Sequence, residues 1–99
     1  MFKSNGETWM IILVSPEHPH LRLNKGGYTA GVCDDATKTI YINEELPLSF
    51  MGKVLRHEIA HAVLFSHDVL LSEQDEELIA DVVANYGQEM IDIFNRVTI

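Results

Sequence analysis

A small α+β domain is the fold class this sequence predicts: a sheet of about three strands, antiparallel or mixed, packed on two helices. Two observations carry it. Before residue 44 the apolar residues come in short β-branched and aromatic runs broken by turn residues, whereas beyond residue 46 they recur at steps of three and four. A chain of 99 residues can bury one core and has no room for a second, so a single domain over 1–99 is expected.

The elements follow in order. Residues 3–7 are polar and read as a frayed start. Thr8-Trp9-Met10-Ile11-Ile12-Leu13-Val14 is an almost unbroken apolar run ended by Ser15-Pro16, which predicts a strand buried on both faces. Residues 16–27 mix prolines and glycines with Leu21 and Leu23 and predict an irregular segment, in which His18 and His20 are read as solvated. Residues 28–33 and 38–43 make two short strands joined by Asp34-Asp35-Ala36-Thr37, hence a hairpin.

The rest is helical. Met51, Val54, Leu55, Ile59, Ala62 and Val63 trace one buried stripe over 46–65, with Pro47 marking the start and Ser49 expected as the N-cap. Ser72-Glu73-Gln74-Asp75 has the form of a capping box that opens a second helix. Leu78, Ile79, Val82, Val83, Tyr86, Met90, Ile91 and Phe94 give that helix a long apolar stripe, and Ala80 and Ala84 are small enough to let it approach the first closely.

The chemistry sits in the first helix. His57-Glu58-Ile59-Ala60-His61 matches H-E-x-x-H. On a helix, histidines four apart share a face and can hold one metal ion, while the glutamate between them serves a water activated there. His57 and His61 are thus candidate metal ligands and Glu58 the candidate general base and acid.

A catalytic zinc site takes a third protein ligand and keeps a fourth position open. Two residues compete for the place. Glu77 opens Glu77-Leu78-Ile79-Ala80-Asp81, with Asp81 one turn further on the same face, where it could hold the outer nitrogen of a ligating histidine. His67 has the spacing of a third histidine, yet that arrangement needs a chain reversal where this sequence has Leu64. Continued helix would instead swing His67 through about 600°, off the face of His57 and His61. Glu77 is the preferred ligand. His67 remains a cleft residue or a helix-end histidine, and with Tyr28 and Tyr86 it is a candidate donor to the oxyanion of the reaction.

Composition narrows the partners. The formal charge is −8 and no Lys/Arg cluster is present, which argues against direct nucleic-acid binding and against an anionic membrane surface. Cys33 is the sole cysteine, so no intrachain disulfide can form and the metal site is not a cysteine cluster. No stretch reads as a secretion signal or a membrane span, and a reducing cytoplasm is the expected compartment.

Taken in sequence, Thr39-Ile40-Tyr41-Ile42-Asn43, the His57-Glu58-x-x-His61 helix and Glu77-x-x-Ala80-Asp81 resemble the core of zincin metallopeptidases of the glutamate-ligand type. The small ImmA/IrrE-like metallopeptidases of bacteria, phages and mobile elements are the nearest likeness, over about residues 31–86. The resemblance implies a minimal zincin-like fold and one Zn²⁺ per chain on His57, His61 and Glu77. It implies general base/acid work at Glu58, an orienting role for Asp81, and a strand near residues 40–43 along which an extended substrate adds. It also implies an intracellular endopeptidase whose partner is a specific protein, such as a transcriptional repressor of a phage or mobile element in a bacterial host. The alternative from another class is a zinc-containing regulator that grips its partner without cutting it.

Overall fold

The computed structural model describes residues 1–97. Strands β1 (Phe2–Ser4), β2 (Glu7–Val14), β3 (Gly31–Asp34) and β4 (Thr39–Asn43) form one sheet in the order β1-β2-β4-β3. Helices α1 (Leu48–Ser66) and α2 (Glu73–Val97) follow. The β1/β2 and β3/β4 pairs are antiparallel and β2/β4 is parallel, so the expected α+β domain is present with a mixed sheet of four strands instead of about three.

The additional strand comes from the segment expected to fray. Asn5 and Gly6 adopt φ of 48° and 81°, the left-handed pair that a two-residue hairpin turn requires, and they connect Ser4 to its partner Glu7. Asn5 also donates from Nδ2 to the carbonyl of Ser66 at 2.9 Å, satisfying one of the carbonyls that a helix end leaves without an intrahelical donor. The indole Nε1 of Trp9 donates to Ser66 Oγ at 2.8 Å in the interior. The β1/β2 hairpin therefore clasps the end of α1.

The core lies between the sheet and α1. Trp9, Ile40, Ile42, Val54 and Ala62 are buried together, with Phe2, Ile11, Leu55, Ile59 and Phe65 packed around them. Each fully buried isoleucine removes enough apolar surface to contribute roughly 2 kcal/mol. Trp9 stacks between Phe2 and Phe65, with ring centroids at 6.4 and 6.5 Å.

Burial on both faces of β2 is not found. Met10 and Ile12 are about two-fifths exposed, because α1 covers one face of the sheet while the Pro19–Leu21 turn, through Leu21, covers the other only over β3 and β4. Val63 is likewise exposed, on the side of α1 away from the sheet. Ser49 does not cap α1. Pro47, with extended backbone at ψ 144°, occupies the cap and its carbonyl accepts from Met51 N at 2.8 Å, which places Ser49 inside the first turn.

The capping serine of α2 is in place: Ser72 Oγ accepts from the Asp75 amide at 3.1 Å. Ala80 and Ala84 are buried against α1, as their size allowed. The long apolar stripe is different. Leu78, Tyr86, Met90 and Ile91 are more than half exposed, since α2 packs chiefly on α1 and meets it through the alanine row rather than through the larger side chains.

Position in the sheet corrects one further expectation. The strand at residues 40–43 is β4, which is paired on both sides and offers no free main chain. The free edge on that side of the sheet is β3. Asn43 N donates to Ala30 O at 2.9 Å, and antiparallel alternation from that bond turns the main-chain groups of Val32 and Asp34 toward β4, leaving those of Gly31 and Cys33 facing outward. Among the described residues, no helix is long and apolar enough to cross a membrane.

Candidate metal centre

His57 and His61 stand one turn apart on α1, where an i, i+4 pair shares a face. Their Nε2 atoms converge to 3.3 Å. Glu77, from the second turn of α2, closes the triangle with Oε2 at 3.2 Å from His57 Nε2 and Oε1 at 2.9 Å from His61 Nε2. One ligand atom from each of the three residues lies within 4.8 Å of the others, so the group can hold a metal ion. The spacing fits closely: donors about 2.0–2.1 Å from a tetrahedral ion sit roughly 3.3 Å from one another.

The outer nitrogens are also engaged. His57 Nδ1 lies 3.1 Å from Asp81 Oδ1, in the orienting position expected of that residue. His61 Nδ1 lies 2.6 Å from Glu76 Oε1. Carboxylates that accept hydrogen bonds from the Nδ1–H groups leave the Nε2 lone pairs free to point at a cation, and they increase imidazole basicity. Each histidine thus has one nitrogen turned to the centre and one held by α2.

In the sequence Glu76 reads as one more acid in the first turn of a helix. A signal existed. Glu76, Ala80 and Ala84 are spaced at i, i+4, so Glu76 heads the row of small residues that faces α1, and its side chain is only 17 % exposed. Two charge-assisted bonds tie the helices further along, where Arg56 Nε and Nη2 both donate to Ala84 O at 3.1 and 2.9 Å.

Glu58 lies on α1 with 7 % exposure and lines the cavities on both sides of His57. Burial pushes its carboxyl above the ordinary glutamate range. His57 and His61 pull it down, and Glu77 adds to the rise. Cys33, from β3, joins the wall of the larger cavity, and its thiol is pushed up to about 12, chiefly by burial and then by Glu58 and other nearby acids.

The remaining candidates lie elsewhere. His67 is the exposed C-cap of α1, followed by the chain reversal at Asp68, φ 52°, instead of at Leu64. Tyr28 is about half exposed and Tyr86 rather more, and neither they nor His67 line the two cavities. His18 and His20 stack with Tyr41 on the opposite face of the sheet from Ile40 and Ile42, away from the centre.

Comparison of the chain with protein-family models, with curated proteins and with solved structures finds no match.

Proposed function

We propose that this protein is a zinc-dependent endopeptidase of minimal zincin type, akin to the ImmA/IrrE-like enzymes, that cuts one specific intracellular protein. A transcriptional regulator is the partner proposed. The observation that carries this reading is the triangle of His57 Nε2, His61 Nε2 and Glu77, with Asp81 and Glu76 on the outer nitrogens and the buried Glu58 beside it.

Zinc held by these three residues would supply Lewis acidity, making a water more acidic and polarising the carbonyl to be attacked. The chain does the rest. Glu58 takes a proton from the attacking water as the new C–O bond forms, and returns it to the amine as the C–N bond breaks. Asp81 and Glu76 keep both imidazoles in the tautomer that turns Nε2 inward. The outward main-chain groups of Gly31 and Cys33 on β3 can pair with an extended peptide and lay it across the centre.

The test begins with metal content. Wild type and His67→Ala should each carry one zinc per chain, and His57→Ala and Glu77→Ala should lose or weaken it. Glu58→Gln should keep zinc and abolish cleavage of candidate repressors. A protein that binds such a partner equally well with either residue at position 58, and cuts it with neither, is instead a zinc-containing binding regulator.

A further inference from the structure

α2 keeps most of its apolar surface in the open. It spans 25 residues, about 37 Å of helix, and packs chiefly on α1, with Ala80 and Ala84 its buried residues. About a third of the way round the helix from those alanines runs a second row: Ile79, Val82, Tyr86, Met90, Ile93 and Val97, each between 39 and 71 % exposed. Glu77 and Asp81, the acids that α2 turns to His57, lie about 140–180° from the centre of this row. Covering the row leaves the metal-holding side of the helix open.

The row has a symmetry of its own. Ile79 and Val97, Val82 and Ile93, and Tyr86 and Met90 stand equally far before and after Gln88, to within one residue. A helix so patterned matches itself when a second copy is laid antiparallel against it, because a two-fold interface pairs each surface with the same surface of the copy. Tyr86 then faces the partner's Met90, and Met90 the partner's Tyr86.

Exposed area points to the same occupant. The chain presents 6808 Å² to solvent, where a folded monomer of 11.2 kDa is expected to present about 5,700 Å². The surplus, on the order of 1,100 Å², exceeds the roughly 800 Å² that each partner gives to a standard interface. A lipid surface fits less well. Helices that lie on membranes carry Lys and Arg beside the apolar row, whereas α2 has seven acids and a single base, Arg96.

We infer that the protein is a two-fold homodimer in which α2 lies antiparallel to its copy, centred near Gln88, with the row from Ile79 to Val97 buried between them. The His57, His61 and Glu77 groups of the two copies face away from that seam. Each chain carries a formal charge of −8, so the copies repel at long range and salt favours their pairing.

Sedimentation equilibrium of the full chain at tens of micromolar should give twice 11.2 kDa, with a dimer that tightens as sodium chloride is added. Tyr86→Lys and Met90→Glu alter exposed positions and spare the core; each should weaken the dimer about tenfold or more. An equimolar mixture of the two variants should pair again, since the introduced charges then face each other. Register is read separately. In a Cys33→Ser background, Val82→Cys mixed with Ile93→Cys should cross-link on mild oxidation, and neither should cross-link alone. Like positions stand about 15–18 Å apart along an antiparallel seam, beyond the roughly 7 Å between Cα atoms that a disulfide spans. A monomer at these concentrations, free or bound to phosphatidylcholine vesicles, overturns the inference. So does a dimer that salt dissociates, one indifferent to both substitutions, or cross-linking of either cysteine variant with itself.

Discussion

Glu76 holds the Nδ1 atom of His61 at 2.6 Å, while the neighbouring Glu77 stands 2.9 Å from Nε2 of the same ring. Consecutive glutamates of α2 therefore grip opposite sides of one imidazole. Only one can be a ligand. The other sets the ring's tautomer and its angle.

Removing the charge of that second carboxylate should loosen the metal without dismantling the centre. Glu76→Gln is expected to lower metal affinity about 10- to 100-fold, the usual cost of losing a partner behind a ligating histidine. Competition against a chelating dye measures it, with circular dichroism as the control for folding. An affinity equal to wild type would show that His61 needs no such support.

Ser66 gives a test of the fold alone. Its hydroxyl is the partner of the Trp9 indole in the interior, and Ser66→Ala leaves that N–H buried and unpaired. A loss of about 1–3 kcal/mol is expected, read from the urea midpoint followed by the fluorescence of the single tryptophan. A midpoint unmoved by the substitution would mean that water replaces the hydroxyl.

The contact between the helices should be intolerant of volume. Ala80 is fully buried against α1, so Ala80→Leu is expected to cost about 1–3 kcal/mol by overpacking and to draw Glu77 away from the histidines, lowering metal affinity as well. The same helix offers its own control. Leu78 is 62 % exposed, and Leu78→Ala should stay within about 0.5 kcal/mol of wild type. Equal effects at the two positions would contradict the observed packing.

Cys33 predicts a pH dependence with a defined sign. Its thiol is pushed up to about 12 by burial first and by Glu58 and further acids after that, whereas an unfolded cysteine titrates near 8.5. The folded state thus holds the proton that the unfolded state releases. This contribution is fully present below the unfolded value and is lost as pH climbs through the interval toward the folded one. In metal-free protein, Cys33→Ser should flatten part of the decline in stability above pH 9, measured by urea titration at stepped pH. Iodoacetamide should label Cys33 far more slowly in the folded chain than in the denatured one at pH 8.

Periodicity made α1 legible, and with it the pairing of His57 and His61, because a stripe at steps of three and four leaves little choice about which side chains share a face. The capping serine at 72 and the Glu77/Asp81 spacing were open to the same reasoning. The sequence hides β1, because the polarity of residues 3–7 outweighs Asn5-Gly6, although that dipeptide is itself a strong hairpin signal. Strand order was beyond reach: nothing local in Ile40 or Tyr41 tells a central strand from an edge, and the edge role of β3 follows only once β2 has paired with β4. The α2 stripe misled for a related reason. Hydrophobic spacing says which residues share a side of a helix, and Ala80 and Ala84 show that close approach can select a side by smallness instead.

The histidines and the carboxylates that complete the centre belong to different helices, and α1 is made first. On the ribosome, a chain that has just exposed His57 and His61 has neither Glu77 to finish the triangle nor Glu76 and Asp81 to align the rings. The triangle of His57, His61 and Glu77 closes only once α2 has emerged and docked along its alanines. Any metal held there would therefore be bound in full only by a chain whose fold is finished.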